Sequence, residues 1–346
     1  MTKCLKTKKM RDSIDISILV VSYNTCEMTL AAISSALRET TKYTIELVVV
    51  DNASTDGSPN AIAAAFPDVK LIRSKRNLGF GAANNLASAH AHGDRILLLN
   101  PDTVVMDAAI DRLQDFADEN PDARIWGGRT FFEDGRLNPA SCWRRMTIWN
   151  QFCRTSGLTG LFPAKDFFNG ETFGGWQRDT VEYVDIVSGC FLLIDRTLWR
   201  DLNGFAPVFF MYGEEADLCL RAAAKGARPL ITPDAAIIHI GGASETVRAD
   251  KVVRLLAAKS ELIERHMTGW QRTATRTLLH LWPLTRWVAG KLAAIIKPSD
   301  KLKDQTEAWA DVIRRKPEWQ NGFTETAGKT GDGHTMPPGQ LAQVNP

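Results

Sequence analysis

Between Ile16 and Glu119 the chain alternates, four times over, a short β-branched apolar run with a segment of helical apolar spacing. No other feature narrows the available folds as much. Ile16–Ser22, Ile45–Asp51, Val69–Arg73 and Arg95–Asn100 read as strands. Residues 26–39, 58–66, 79–91 and 107–119 read as helices. Strand–helix alternation requires crossover connections, which predicts an α/β fold with a mainly parallel sheet flanked by helices. In such sheets ligands bind beyond the carboxyl ends of the strands. Polar residues collect at those ends: Ser22-Tyr23-Asn24, Asp51-Asn52 and Asn100-Pro101-Asp102.

The remainder is less regular. Residues 125–185 are rich in Trp and Phe and read as a loop-rich acceptor region, although the same rings could simply pack a subdomain. A buried strand is predicted over 184–195, a helix over 214–225 and a short strand from Ala235 to Ile240. Residues 250–297 are helical, with Val252, Val253, Leu255, Leu256, Leu262 and Ile263 on one face. The 346 residues hold 42 Lys+Arg against 40 Asp+Glu, so overall charge gives no reason to expect a nucleic-acid partner. Near-neutrality conceals a basic arm, with eleven Lys/Arg and three Asp/Glu over 251–303. The predicted organisation is a basic segment (1–14), a catalytic domain (15–248, halves 15–120 and 121–248), a basic helical extension (249–320) and a disordered tail (321–346). The six cysteines form no C-x-x-C pair or zinc-spaced cluster and read as free thiols of a reducing compartment. No signal-peptide core follows the basic N-terminus, and no run reaches the roughly 18 apolar residues of a membrane span. A cytosolic protein is expected, with membrane contact open.

Five motifs carry chemistry. In Val48-Val-Val-Asp51-Asn52-Ala-Ser54-Thr-Asp56-Gly57-Ser58 a strand ends in a carboxylate that can accept from a nucleobase or ribose; the same run makes a good turn and helix cap. Asn77-Leu-Gly79-Phe-Gly81-Ala-Ala-Asn84-Asn85 places glycines before a helix, where backbone can approach an anionic ligand. It is neither G-x-G-x-x-G nor a P-loop. Asn100-Pro101-Asp102 suits a hard divalent cation shared with phosphates, or a helix cap. Glu214-Glu215-Ala-Asp217 opens a helix, where acids gain from the dipole and a carboxyl among carboxyls can serve as general base. Arg221, four residues after Asp217, predicts an ion pair and a mostly structural Asp217. His239, beside Gly241-Gly242 at a strand end, can complete a metal site or contact a phosphate.

Taken in order, these motifs resemble the family 2 glycosyltransferases of GT-A fold, in the rhamnosyltransferase-like branch. The resemblance rests on V-V-S-Y-N at 20–24, V-V-D-N-A-S-T-D-G-S at 49–58, N-L-G-F-G-A-A-N-N at 77–85 and L-L-N-P-D at 98–102. It continues through S-G-C at 188–190, F-M-Y-G-E-E-A-D-L-C-L-R at 210–221 and H-I-G-G-A-S at 239–244. It implies a nucleotide-sugar donor, dTDP-rhamnose first and UDP-hexoses next, a divalent cation (Mg²⁺ or Mn²⁺) and inversion at the anomeric carbon. Asn100-Pro101-Asp102 stands where the family has Asp-x-Asp, which makes Asp102 the main metal ligand and His239 its partner. Ser22, Tyr23, Asn24, Asp51, Asn77, Gly79, Asn84 and Asn100 fall on the donor side. Glu215 stands where the family has the Asp of Glu-Asp, its general base, with Glu214 beside it. Trp176, Ser188, Gly189 and Asp217 fall toward the acceptor.

The branch's acceptors are glycans or lipid-linked glycans on the cytosolic face of the bacterial inner membrane. The basic arm fits independently: Trp270, Leu278, Leu279, Leu281, Trp282, Leu284, Trp287 and Val288 interleave with Arg272, Arg276, Arg286 and Lys291, as suits an interfacial helix on anionic lipid. The same helices could pack back on the domain or join two copies in a homo-oligomer. Two other classes remain: a nucleotidyltransferase, which would want a basic Gly-rich loop after the first strand, and a non-catalytic sugar-nucleotide-binding module, which would be expected to lack Asp102 or the Glu pair.

Overall fold

The structure, a computed structural model, describes residues 13–241 and 248–323. Residues 1–12 with Cys4, residues 242–247 with the last three positions of the H-I-G-G-A-S motif, and residues 324–346 lie outside the described residues. Of the tail predicted from 321, residues 321–323 are described and Phe323 packs against Phe209 (centroids 5.6 Å).

The elements run β1 (Ile16–Ser22), α1 (Cys26–Glu39), β2 (Ile45–Asp51), α2 (Ser58–Ala65), β3 (Lys70–Arg73), α3 (Phe80–Ser88), β4 (Arg95–Leu99), β5 (Thr103–Val105), α4 (Ala109–Glu119) and β6 (Ile125–Phe131). There follow β7 (Cys142–Trp143), α5 (Ile148–Ser156), α6 (Leu158–Leu161), β8 (Glu182–Tyr183), β9 (Ile186–Val187), β10 (Phe191–Asp195), α7 (Arg196–Asp201), α8 (Glu214–Ala223) and β11 (Leu230–His239). Four helices close the chain: α9 (Arg248–His266), α10 (Gly269–Ile296), α11 (Asp300–Arg314) and α12 (Lys316–Trp319). The first four strands and helices fall within a residue or three of the bounds read from periodicity.

The chain divides into two compact units. The first comprises the described parts of residues 1–145, 176–206 and 218–244, and it contains a nine-stranded sheet in the order β3-β2-β1-β4-β10-β6-β11-β5, with β8 against β11. The sheet is mixed and mostly parallel. Strands β1, β2, β3, β4, β6 and β11 run one way; β5, β8 and β10 run against them. All seven residues of β1 are buried, as befits a central strand covered on both faces. Alternate residues Ile16, Ile18 and Val20 share one core with Leu97 and Leu99 of β4, Ile33 of α1 and Ile110 and Leu113 of α4.

Two stretches depart from expectation. The region read as irregular from 125 contributes β6, which lies inside the sheet between β10 and β11. Its Gly127-Gly128 pair hides the strand signal, because glycine weakens strand propensity. The glycines are required by close approach: a Cβ on Gly127 would collide with Val187, and one on Gly128 with the Ala235 carbonyl. Strand β11 starts at Leu230 rather than Ala235, crossing Pro233 by a register shift between Ile231 and Ala236. Proline lacks the ladder donor, so the strand must bulge there. The predicted strand over 184–195 is two strands, with Ser188-Gly189-Cys190 in the link between them.

The second unit comprises residues 146–175, 207–217 and the described part of 245–346. Val253, Leu256 and Ile263 of α9, Leu279 of α10, Val312 of α11 and Trp319 of α12 form its core. No helix among the described residues is long and apolar enough to cross a membrane. The described cysteines, Cys26, Cys142, Cys153, Cys190 and Cys219, are free thiols.

Candidate active site

Three loops leave the carboxyl ends of β1, β2 and β4, and polar groups bind the first two to one another. Parallel pairing sets Ser22 opposite Asp51, and the Asn52 N–H donates to the Ser22 carbonyl (2.8 Å). Ser22 is buried and its hydroxyl lies 3.0 Å from that of Thr29 on α1. Tyr23 is exposed. Asn24 sits in the left-handed region (φ +53°), a conformation Asn tolerates, and its Oδ1 accepts from the Thr55 N–H (2.8 Å). Asp56 caps two helices at once: its carboxylate accepts from the N–H of Cys26 (2.9 Å) and of Ser58 (3.0 Å). The turn-and-cap reading of this run therefore holds for Asp56, while Asp51 is placed differently, buried at the strand end.

Asn52 is the link that sequence reasoning did not single out. Its Nδ2 donates to Asn77 Oδ1 (2.8 Å) and its Oδ1 accepts from the Leu78 N–H (2.8 Å). Asn77 Oδ1 also accepts from the Gly79 N–H (2.9 Å). The β2 loop thereby holds the loop that leads into α3. Gly79 adopts φ +79°, which a side chain would resist. An amide in a turn-rich run carries no mark of a partner 25 residues away, so only the fold could disclose this bridge.

A third group forms where β5 pairs with β11. The ladder sets His239 opposite Thr103 and so beside Asn100-Pro101-Asp102. His239 Nε2 lies 3.4 Å from Asp102 Oδ1 and 3.4 Å from Asn100 Nδ2. Asp102 Oδ2 accepts from the Gly241 N–H (3.1 Å). Burial works against the Asp102 carboxylate, but the His239 hydrogen bond and charge and the Gly241 N–H prevail and hold it below the usual range. Burial likewise opposes a charged His239, and the Cys190 sulfur and Asp102 overcome it, lifting the imidazole to about 10.

Asp51, Asn84 and Asn100 share one property: each is bonded to the fold at one end and has a buried Oδ1 without a hydrogen-bond partner at the other. Asp51 Oδ2 accepts from the Ser54 N–H (3.3 Å), and Asn84 Nδ2 donates to the Phe80 carbonyl (3.0 Å). Buried acceptors are rarely left unused in proteins, which makes these three at the strand ends candidates for a ligand's donors; Asp111, Gln114 and Gln151 also have a buried side-chain oxygen without a partner. Of the residues read toward the acceptor, the Ser188 N–H donates to the Ser141 carbonyl (2.9 Å). Gly189 is buried beside it. Trp176 is half-buried, its Nε1 donating to Thr180 Oγ1 (3.1 Å) and its ring stacked under the Arg178 guanidinium at 4.9 Å.

The second unit holds the remaining candidates, at the head of α8. Tyr212 and Gly213 both take positive φ (+73° and +88°) and turn the chain sharply into the helix. A Cβ on Gly213 would press on the Phe209 ring and on Ala258. Glu214 is buried and Glu215 half-buried, and each has an Oε2 without a partner. Burial, and then the charge of Glu215, push the Glu214 carboxyl well above its usual range; burial also raises Glu215. Asp217 is fully buried and accepts from Arg265 Nε (2.8 Å), with His266 Nε2 at 2.9 Å. No sequence signal linked these two α9 side chains to Asp217, for which Arg221 is the expected partner. The Arg221 guanidinium donates to the carbonyls of Leu202 (2.8 Å) and Gly204 (2.9 Å).

A mostly parallel sheet with polar motifs at its carboxyl end, joined to a helical extension, defines the GT-A class of glycosyltransferases. The description "Glycosyl transferase family 2" matches residues 17–196, just over half of the chain. The chain belongs to that family, in its rhamnosyltransferase-like branch, and is a glycosyltransferase enzyme. It is 26% identical over 291 residues to the N-acetylglucosaminyl-diphospho-decaprenol L-rhamnosyltransferase of Mycobacterium tuberculosis, covering 76% of this chain and 89% of the relative. It is 28% identical over 267 residues to the succinoglycan biosynthesis protein ExoO of Rhizobium meliloti, covering 73% and 69%. Among solved structures, the mannosyltransferase PcManGT from Pyrobaculum calidifontis, in complex with GDP-Man and Mn²⁺, has a TM-score of 0.56 at 17% identity. That match covers 88% of this chain and 87% of the other, and it speaks for the fold alone.

Proposed function

We propose that this enzyme moves a hexose, L-rhamnose from dTDP-rhamnose as the first candidate, onto a hydroxyl of a glycan or lipid-linked glycan in bacterial surface-polysaccharide synthesis. The similarity to a rhamnosyltransferase and to a succinoglycan biosynthesis protein supports the sugar and the pathway class. The observation that carries the donor site is the set of buried, unpartnered oxygens on Asp51, Asn84 and Asn100. Asp51 would accept from the nucleoside, and the loop held by Asn52 and Asn77 would bring the backbone before α3 against the donor.

Asn100, Asp102 and His239 fit a divalent cation in part. They offer an ionised carboxylate and an amide oxygen as oxygen ligands, with the charged His239 beside them to meet the diphosphate, or to ligate once the ion displaces its proton. No group of three or more His, Cys, Asp or Glu among the described residues is arranged to hold a metal alone. Such a set suits Mg²⁺ or Mn²⁺, which takes oxygen ligands and shares its remaining positions with substrate phosphates and water. When bound, the ion would neutralise charge on the departing nucleoside diphosphate.

Glu215 is the proposed base. Two neighbouring carboxyls do not ionise together readily, and Glu214, the more buried, is raised by burial and by the charge of Glu215, which leaves Glu215 the one to ionise. Glu215 then takes the proton of the acceptor hydroxyl as that oxygen attacks the anomeric carbon. One displacement inverts the centre, so no covalent sugar–enzyme adduct is required.

The test is a panel of dTDP-rhamnose, UDP-hexoses and GDP-mannose, read by thermal shift and donor hydrolysis with Mg²⁺, Mn²⁺ or EDTA. Stabilisation by dTDP-rhamnose that EDTA abolishes is the expected result. Stabilisation by another donor replaces the sugar assignment, and EDTA-insensitive turnover removes the cation.

A further inference from the structure

Two apolar patches in the second unit face solvent, and the packing of α5 on α10 joins the elements that carry them. On α10, Leu281, Leu284, Val288, Leu292 and Ile295 recur at spacings of three and four, which puts them in one stripe. Val288 is 41% exposed and Ile295 79%. Another face of the same helix is taken up by the fold. Leu279 and Pro283 are buried, the Leu278 carbonyl accepts from the Thr155 hydroxyl of α5 (3.0 Å), and the Thr285 hydroxyl donates to the Thr155 carbonyl (2.8 Å). The second patch is aromatic. Trp149 and Phe152 of α5 stack with centroids 5.6 Å apart, and Trp149 lies 4.9 Å from Phe167, to whose carbonyl its Nε1 donates (2.7 Å). Phe167 is 66% exposed and Leu161, on α6, 72%.

Charge distinguishes the surfaces that could cover these patches. From Met267 to Ser299 the chain has no Asp or Glu and five Lys/Arg. Lys291 and Lys297 in this stretch are exposed and form no ion pair with any described residue. A second copy docked by the same stripe would bring these cations together, whereas an anionic surface would satisfy them. Apolar stripe, aromatic rings and unpaired lysines in one unit are the combination an interfacial element needs.

We infer that this unit docks the enzyme on an anionic phospholipid bilayer. The α10 stripe and the Trp149–Phe167 cluster enter the headgroup layer and the lysines meet lipid phosphates. The inference rests on the second unit alone and is independent of the donor assignment.

Flotation of the full chain with phosphatidylglycerol/phosphatidylcholine vesicles, and with phosphatidylcholine alone, tests it, with light scattering for oligomeric state. Wild type floats with the anionic vesicles, and high salt releases it. Leu292→Glu/Ile295→Glu, at exposed positions the fold does not use, lowers partitioning by roughly tenfold or more. Lys291→Glu lowers it about fivefold, and Phe167→Ser gives a smaller loss. Absence of flotation overturns the inference, as does flotation indifferent to these variants. So does a double variant that converts a dimer to a monomer without changing flotation, because the stripe is then a self-association face.

Discussion

Glu171 and Glu214 both belong to the second unit, and both are buried carboxyls, yet their surroundings drive them in opposite directions. Glu171 accepts from Lys259 Nζ (2.6 Å) and Arg154 Nη2 (2.9 Å). Burial disfavours its charge, but the two cations prevail and hold it near 2. At Glu214 no cation among the described residues offsets the same burial, and the charge of Glu215 adds to it, so the carboxyl is pushed well above its usual range. A buried acid delivered with partners ties the unit together, here α5 and α9 to the 170–172 turn. A buried acid delivered without them is a candidate for chemistry. The first unit shows an intermediate case, in which Asp51 and Asn100 are bonded at one end and open at the other.

The strongest test of this contrast is Glu215→Gln. Loss of the base is expected to cut turnover by about 10²–10⁴-fold while donor-induced thermal shift stays near wild type. Near-normal turnover in the purified variant would falsify the assignment. Glu171→Gln should act on the fold, costing about 3–5 kcal/mol in chemical denaturation because two buried cations lose their partner. Its sign with pH follows: the carboxyl is depressed in the native state, so its contribution is present above about pH 4.5 and is lost as pH falls toward 2. Asn52→Ala removes three side-chain bonds between loops and should cost about 1–3 kcal/mol, with a raised donor KM and less change in kcat. The smallest effect is expected from Glu214→Gln. Because the folded state binds this proton more tightly than the unfolded chain, the native Glu favours folding below its ordinary pKa and loses that advantage as pH rises through its raised one. The variant should therefore match wild type in acid and be slightly more stable at higher pH, as pH-dependent melting would show.

Much of the architecture could be read locally. Strands β1 to β4 are β-branched apolar runs bounded by turn residues, and their bounds follow from that pattern because a strand covered on both faces needs apolar side chains at nearly every position. Where the pattern was misread, the cause was a residue serving a distant contact. Gly127-Gly128 erases the strand signal of β6 to admit Val187 and the Ala235 carbonyl, and Pro233 splits β11. The amphipathic α5 was obscured by the aromatic residues that it leaves on the surface.

The amino-acid sequence by itself determined the succession of strands and helices, the family, and which carboxyl and amide groups stand at strand ends and at the head of α8. Those properties depend on neighbours within about a turn of helix or a strand's length, where periodicity and motif spacing act. Tertiary structure alone decided that His239 lies beside Asp102, that Asn52 holds the 77–79 loop, and that Asp217 meets Arg265 and His266. It also decided the direction in which each buried acid is shifted. The state of a buried carboxyl is set by charges within a few ångströms in space, and for Glu171 one of those charges, Lys259, is 88 residues away along the chain.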